Sequence, residues 1–484
     1  MDLDDPHSQA TQNFLSWFTS LPGATFHPSL TLTDLRRLSL GRGIIANTTI
    51  PAETPLFTIP RSSILCAATS PLSTHLPDLF DLDNPSNTQD SWTLLILILI
   101  HAHLQGPTSP WHPYLSILPT DFNTPMFWGE ADLAHLQAST ILPKIGKESA
   151  DTMLREKVLS VVSANPAIFY PPGTQPLSEN ELLSLAHRMG SAIMAYAFDL
   201  DKEDDEDEEG DGWVEDKEGR IMLGMVPMAD MLNADAEFNA HINHGEDELT
   251  AVSTREIRAG EEVLNYYGPL GNGELLRRYG YVTRSHARHD VVEVGWGLVE
   301  RRLKGWFGER VGEKEWGKVG AIMAEGDDEG GEWEDSFVVE REVQEPDEAG
   351  RLGEPTFVKG LPDELEERVK AFLKAVKKVA SGVADLLGDR NMRKVIYLES
   401  VLGALKDREA EFATSLEEDQ ALIAQCERPV TREQMAVWVR AGEKQILREA
   451  QLWVEEELPA MREQACRPRE DGDEGAPSAK RQRR

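Results

Sequence analysis

Val226-Pro227-Met228-Ala229-Asp230-Met231-Leu232-Asn233-Ala234-Asp235 opens the stretch whose reading decides the fold, and Asn265-Tyr266-Tyr267-Gly268 with Glu274-Leu275-Leu276-Arg277-Arg278-Tyr279-Gly280-Tyr281 closes it. Between them, Ile257-Arg258-Ala259-Gly260-Glu261-Glu262-Val263 reads as a turn joining two strands. It echoes Ile50-Pro51-Ala52-Glu53-Thr54-Pro55-Leu56 far upstream. Each copy starts on isoleucine, has alanine third and ends on an aliphatic residue that opens a strand. The apolar runs Leu40 to Ala46 and Leu56 to Ile59 flank the first copy. Both copies are expected to be small β-hairpins. They stand 207 residues apart, so a long helical segment is expected to interrupt one β region.

Working outward, that middle segment carries a helix signal. Ser178 with Glu181 forms a capping box, and Leu182, Leu185, Ala186, Met189, Ile193 and Tyr196 follow at helical spacing. Trp92 to Ile100 reads as a buried core element, since it falls far short of the roughly 20 apolar residues a membrane span needs. From Pro362 onward the pattern is helical for about a hundred residues, with Thr431 and Gln434 as a second capping box ahead of Met435, Val439 and Ile446. A separate all-α domain is expected there.

The chain has 484 residues, long enough for two or three domains, and its 40% hydrophobic and 27% charged residues are ordinary for a folded protein. Its charge is not. Lys plus Arg is 49 against 84 Asp plus Glu, and the net charge of −35 repels a phosphate backbone, so a basic protein is expected as partner and nucleic acid is not. Asp201 to Lys217 holds eleven acidic residues against two lysines, and Glu325 to Glu348 holds twelve against Arg341. Exposed loops are expected at 201–219 and 324–350. Residues 466–484 read as a disordered tail ending in Lys480-Arg481-Gln482-Arg483-Arg484, a nuclear-import type of cluster. The acidic Met1-Asp2-Leu3-Asp4-Asp5 start is not a secretory signal. Cys66, Cys426 and Cys466 are too few and too scattered for a disulfide framework or a zinc set, which suits a reducing compartment.

No nucleotide signature is present: Gly268-Pro269-Leu270-Gly271-Asn272-Gly273 has its glycines in the wrong order for a dinucleotide loop. Asp230, Asp235, His241 and His244 could be assembled into a metal set, but no second ligand pair stands at a recognised spacing, and no metal is expected. Gly41 and Gly43 in Leu40-Gly41-Arg42-Gly43-Ile44 allow close backbone approach, by a ligand or simply by a turn. Tyr279 and Tyr267, on spacing alone, could equally be core aromatics.

The ordered set of these motifs resembles the SET-domain protein methyltransferases, and within them the branch of Rubisco large-subunit methyltransferase and the fungal ribosomal-protein lysine methyltransferases. Trp111-His112-Pro113-Tyr114-Leu115-Ser116-Ile117-Leu118-Pro119 and Asn123-Thr124-Pro125-Met126-Phe127-Trp128 are similar to segments inserted in that branch. The resemblance implies an α+β fold. A SET domain of small β-sheets would span 10–290, its core split into 30–65 and 221–290 by a helical insert at 66–220, and an all-α substrate-binding domain would follow at 291–465. It implies S-adenosylmethionine as cofactor, held by Leu40, Gly41, Arg42, Gly43, Tyr196, Asp230, Asn233 and Ala234. Tyr279 would be catalytic, with Tyr267 and Tyr281 lining the substrate lysine channel. The family's asparagine is followed by histidine, whereas Ala234 stands here. The activity implied is lysine N-methylation of a basic non-histone protein, a ribosomal protein of the large subunit, by a monomeric enzyme of the nucleus and cytoplasm, with no membrane partner. Two alternatives remain: a catalytically silent SET-fold binding module, suggested by Ala234, and a histidine methyltransferase, against which Tyr279 argues.

Overall fold

The computed structural model describes residues 5–466 apart from 39, 85, 201–221, 327–332, 355–356, 427 and 429–430. The acidic block at 201–219 and the basic cluster at 480–484 therefore lie outside the described residues. The chain divides into two units. The first comprises Met1–Val291, Glu340–Phe357 and Phe412–Lys444, and the second Val292–Val339, Val358–Glu411 and Gln445–Arg484.

The first unit is α+β, as expected. Its strands in chain order are β1 (Thr25–Phe26), β2 (Leu30–Asp34), β3 (Arg42–Ala46), β4 (Pro55–Pro60), β5 (Leu65–Cys66), β6 (Ala197–Asp199), β7 (Leu223–Met225), β8 (Asn233–Ala234), β9 (Ala240–His244), β10 (Glu248–Ser253) and β11 (Leu264–Asn265). They form four small sheets: β1-β4-β10-β9, β2-β3, β5-β7-β6 and the parallel pair β8-β11. The split is visible in the pairing. β4 joins β10 with Phe57 opposite Ala251 and Ile59 opposite Leu249, across a gap that contains the whole insert. These four side chains are fully buried, so one face of the sheet carries the core that the alternating pattern requires.

The hairpin expectation needs correction. β3 and β4, on either side of the first turn, do not pair with each other, and neither do β10 and β11 around the second. Instead the two echoed segments pair with one another. Ile50 N–H donates to Ile257 O at 2.8 Å and Ile257 N–H to Ile50 O at 2.9 Å; Val263 N–H donates to Ile44 O at 2.8 Å. Ile50, Ile257 and Val263 are buried at this crossing. The similarity of the two copies records a mutual pairing of like segments, which a reading confined to local strand-turn-strand grammar assigns to the wrong partners.

Within the insert, the helix Ser91–Leu104 starts at a capping box in which Asp90 Oδ1 accepts from Thr93 N–H at 2.8 Å. Leu94 through Ile100 are all buried, as befits a helix that is apolar on every side. It packs on the helix Glu179–Tyr196, whose Ser178 and Glu181 cap it as the sequence predicts. A Cβ on Gly190 would stand 3.1 Å from the Trp92 ring, so glycine there sets how closely the two helices meet. No described helix is long and apolar enough to cross a membrane.

The region beyond 291 is helical but not purely so. In the second unit the helix Trp296–Phe307 packs on Arg390–Glu409, and Glu313–Met323 on Asp363–Val379. Val292–Gly295 pairs antiparallel with Ser336–Val339. The latter strand falls inside the stretch 324–350 expected to be an exposed loop. Phe337 and Val339 are buried, Phe337 edge-on to Trp296, which also carries the Arg368 guanidinium 4.3 Å above its ring. Acidic neighbours hid this short apolar alternation from a composition window. The second departure is that residues 412–444, expected in a continuous 291–465 domain, group with the first unit. They include the start of the helix Arg432–Cys466, capped by Thr431 and Gln434 as predicted.

Candidate active site

The site is assembled where β3, β8 and β11 meet. Gly41 and Gly43 are glycine for different reasons. Gly41 has φ +70° and nothing within 4 Å of where a Cβ would stand, so its backbone conformation selects glycine and leaves open space. At Gly43 a Cβ would stand 2.5 Å from Glu262 Oε1 and 3.1 Å from Asn233 Nδ2, so close packing selects it. Leu40 is half-buried, and its N–H donates to Leu35 O at 3.3 Å to close the turn. The Arg42 side chain turns elsewhere: Nε donates to Thr11 Oγ1 at 2.9 Å and Nη1 to Ile117 O at 2.8 Å. Only its carbonyl faces the asparagine.

Asn233 and Ala234 form β8, in parallel register with Leu264 and Asn265 of β11. Asn233 Nδ2 donates to Arg42 O at 3.0 Å and to Glu262 Oε1 at 2.6 Å. Both neighbours are acceptors, which settles the amide's orientation: the oxygen could not face them. Asn233 Oδ1 has no donor among the described residues.

Three residues back along the chain begins a cluster of phenols. Met228, buried with φ +83°, leads into the short helical turn Ala229–Met231, a strained entry of the kind found at functional sites. It delivers Asp230 into the interior, where Tyr114 donates to Oδ2 at 2.6 Å and Oδ1 is buried with no side-chain partner among the described residues. Burial pushes the Asp230 carboxyl up to about 7, against the opposing Tyr114 hydrogen bond. Tyr267 stacks on Tyr279, centroids 4.8 Å apart at 17°, and donates to Leu232 O at 3.1 Å. Tyr281 meets Tyr279 edge-on at 6.2 Å, its hydroxyl buried without a partner among the described residues. Burial raises the Tyr279 phenol to about 12 and lifts those of Tyr196, Tyr267 and Tyr281 as well; the Asp230 carboxyl adds to the rise at Tyr196 and Tyr267. Burial therefore favours the neutral form of all four hydroxyls.

The position of Tyr279 follows from its helix. Asn272–Tyr279 ends on Gly280, which caps it with φ +78° and would place a Cβ 2.8 Å from the Asn123 carbonyl carbon. The 123–128 segment is thus wedged beside the tyrosine. Trp128 Nε1 donates to Asn123 O at 3.0 Å, and Arg432 holds Asn123 Oδ1 at 3.0 Å and Asp132 at 2.7 Å.

A family model for the SET domain matches residues 41–268 and one for Rubisco LSMT substrate-binding matches residues 393–447. The chain carries a SET domain, followed by a segment similar to the Rubisco LSMT substrate-binding region. Among curated relatives, this SET-domain chain is 34% identical to ribosomal lysine N-methyltransferase 4 of Saccharomyces cerevisiae, over 60% of its own length and 59% of the relative. It is 31% identical to the N-lysine methyltransferase SETD6 of Homo sapiens, over 50% of its length and 48% of the relative. The matches thus span about half the length of these relatives. Among solved structures it resembles the SET domain of LSMT bound to lysine and AdoHcy, with a TM-score of 0.63 at 19% identity over 95% of this chain and 94% of that one. Rubisco LSMT bound to AdoMet gives 0.60 at 19%, over 94% and 93%.

Tyr196, Asp230, Tyr267, Tyr279 and Tyr281 form one electrostatic neighbourhood, of which Tyr279 and Tyr281 lie just beyond the matched residues 41–268; Gly43 and Asn233 form a second, brought together from distant parts of the sequence. Of the four residues weighed as a metal set, Asp230 accepts from Tyr114 and Asp235 accepts from Ser285 Oγ at 2.5 Å, while His241 and His244 lie on β9. The described residues bring one Asp/His group together at ligand spacing, Asp5, His7 and Asp34, and there Arg36 pairs with both carboxylates. Sequence reasoning missed Tyr114 and Glu262 as site residues, although both stand inside quoted motifs. A buried Asp230 demands a donor, but one 116 residues away is not readable from a pattern.

Proposed function

We propose that the protein is an S-adenosylmethionine-dependent protein-lysine N-methyltransferase, and the observation that carries this is the stacked, neutral tyrosine cluster around buried Asp230 at the end of the parallel β8-β11 pair. The residues fit such a cofactor. Among the described residues no donor reaches Asn233 Oδ1 and no side-chain partner reaches Asp230 Oδ1 or the Tyr281 hydroxyl, both buried, and Gly41 borders open space. When bound, the cofactor would supply an electrophilic methyl on a sulfonium. Leu40, Gly41, Gly43, Asn233 and Ala234 would hold it, chiefly through backbone groups and the Asn233 amide.

In-line displacement needs a neutral amine, alignment and exclusion of water more than a strong base. Tyr267, Tyr279 and Tyr281 supply an aromatic sleeve that disfavours a charged ammonium through desolvation. The Tyr279 hydroxyl, neutral and held by the ring stack, orients the attacking nitrogen. Asp230, near neutrality, offers an acceptor to the amine side. Asn233→Ala is expected to weaken S-adenosylmethionine binding by about 1 to 3 kcal/mol in a calorimetric titration, since it leaves a polar group of the ligand unpaired. Unchanged affinity would reduce Asn233 to a structural clasp between β3 and β8.

For substrate we infer a basic ribosomal protein, supported by the likeness to the yeast ribosomal lysine N-methyltransferase and by the net charge of −35. The Lys480 to Arg484 cluster supports a nuclear location, and we take the enzyme to be a monomer. Incubating it with labelled cofactor and lysate from cells that lack it, then finding the labelled residue by mass spectrometry, tests the reading: labelling of non-ribosomal proteins alone removes the ribosomal assignment. Deleting the Asp201 to Lys217 block is expected to lower kcat/KM and flatten its salt dependence while kcat holds, because charge of this kind acts on encounter over about a Debye length. An unaltered salt slope would make the acidic block a solubility feature.

One specific observation favours a second reading. Ala234 removes a side chain that the family's histidine would supply, which suits a silent SET-fold module. Cofactor binding without turnover on any lysate protein would decide for it.

A further inference from the structure

We propose that Glu262 is a positioning residue for the cofactor: by accepting from Asn233 Nδ2 it locks the asparagine amide so that Oδ1 is presented to the ligand. The inference rests on the methyl-transfer reading above and adds to it a residue that would act through the Asn233 amide.

Three observations carry it. First, Asn233 Nδ2 spends its two hydrogens on Arg42 O at 3.0 Å and Glu262 Oε1 at 2.6 Å. With only the Arg42 carbonyl, the amide would keep one tether and swing about its last torsion, a broad, soft rotation. With two acceptors fixed on one side, its oxygen must face the other way. Second, the carboxylate is itself held in place. Glu262 stands opposite Ile45 in an isolated antiparallel bridge, flanked by Ala46 N–H donating to Glu261 O at 3.0 Å and Val263 N–H to Ile44 O at 2.8 Å. Its Oε1 fits where residue 43 has no Cβ; any side chain there would meet it at 2.5 Å. Third, the adjacent acid has a different job. Glu261 pairs with Arg255 at 2.7 Å and accepts the Arg258 N–H at 2.9 Å, so it fastens the turn and leaves Glu262 to the asparagine.

Gly43, Glu262 and Asn233 therefore form one interlock that joins the two echoed segments to β8. Burial raises the carboxyl of Glu262 and the Asn233 hydrogen bond opposes that rise. Of the other groups that act on it, Arg428 favours the ionised form and Asp235 the neutral one. Either form of the carboxyl retains an acceptor oxygen for the amide, so the positioning role does not need a particular charge.

The test is calorimetric titration of the full chain with S-adenosylmethionine, and separately with S-adenosylhomocysteine, for wild type, Glu262→Ala, Glu262→Gln, Asn233→Ala and the Glu262→Ala/Asn233→Ala pair, with thermal melting on each. Glu262→Ala is expected to raise Kd roughly tenfold. Glu262→Gln, which keeps a carbonyl acceptor, should stay within about threefold of wild type. In the Asn233→Ala background Glu262→Ala should add nothing, because the group it positions is gone. With a lysine substrate found, KM for the cofactor should rise while kcat at saturation holds. Wild-type affinity in Glu262→Ala, or independent and additive losses in the double variant, would overturn the proposal, as would a lowered melting temperature with Kd unchanged. Should Glu262→Ala not fold, the Gln variant carries the test against Asn233→Ala: a tenfold loss there would also overturn it. Absence of binding by wild type would instead bring down the methyl-transfer reading and this proposal with it.

Discussion

Tyr279→Phe is expected to lower turnover by roughly 10²-fold while S-adenosylmethionine affinity stays within about twofold of wild type. The substitution removes one oxygen and little else. The ring stack on Tyr267 and the edge contact with Tyr281 depend on the aromatic face, which phenylalanine keeps. The backbone is fixed independently, by Gly280 at φ +78° and by the 123–128 segment against it. With the phenol raised to about 12, a base role would leave only about one molecule in 10⁵ ionised at pH 7, too few to matter. On the methyl-transfer reading proposed above the hydroxyl would act as an aligned dipole, and a group of that kind is worth most where charge shifts, in the displacement itself. The measurement is single-turnover methylation beside calorimetric titration. Wild-type turnover in the phenylalanine variant would remove Tyr279 from the mechanism, and a matching loss of cofactor affinity would recast it as a binding residue.

How far the site was legible follows from how local its causes are. The capping boxes at Ser178 and Thr431 are contained in four residues each, and both helices begin where they should. Tyr267 and Tyr279 lie twelve residues apart and were readable as a pair through motif order. The hairpins were misassigned because strand pairing is a long-range choice: a turn flanked by strands looks the same whether those strands pair with each other or with a segment 207 residues away. Glu262 was hidden for a related reason. In sequence it is one of two adjacent glutamates in a turn, and only the antiparallel crossing with Ile45 makes one a turn fastener and the other a neighbour of Asn233. The buried charges Asp419 and Lys444, with half-buried Arg440 beside them, were not singled out, since a charged residue in a helical pattern carries no local sign of burial.

Lys444→Met is expected to destabilise the first unit by about 3 kcal/mol, the largest stability effect of any single charge in it. Lys444 and Asp419 are both fully buried, and the ammonium donates to Asp419 Oδ2 at 2.6 Å, Thr414 O at 2.8 Å and Thr414 Oγ1 at 3.0 Å. Methionine fills the same volume, so the cost is electrostatic. The Asp419 carboxylate would lose its nearest cation while buried beyond the reach of water. Arg440 at 3.0 Å and the Thr414 hydroxyl remain, which puts the loss at the lower end of the range for a broken buried pair. This matters for the site because the same helix start holds its flank: Arg440 also reaches His135 O, Glu443 accepts from Ser139 Oγ at 2.8 Å and Thr140 N–H at 2.9 Å, and Met435, Trp438 and Val439 share a core with Trp128, Ile141 and Leu276. Leu276 is on the helix that ends in Tyr279. Equilibrium urea unfolding followed by tryptophan emission, to which Trp128 and Trp438 contribute among the chain's eleven tryptophans, measures the loss. Adding Asp419→Asn to Lys444→Met removes the stranded negative charge and should recover about half of it; if the pair is no better than the single variant, the charge is not what Lys444 neutralises, and its hydrogen bonds to the Thr414 turn carry the stability instead.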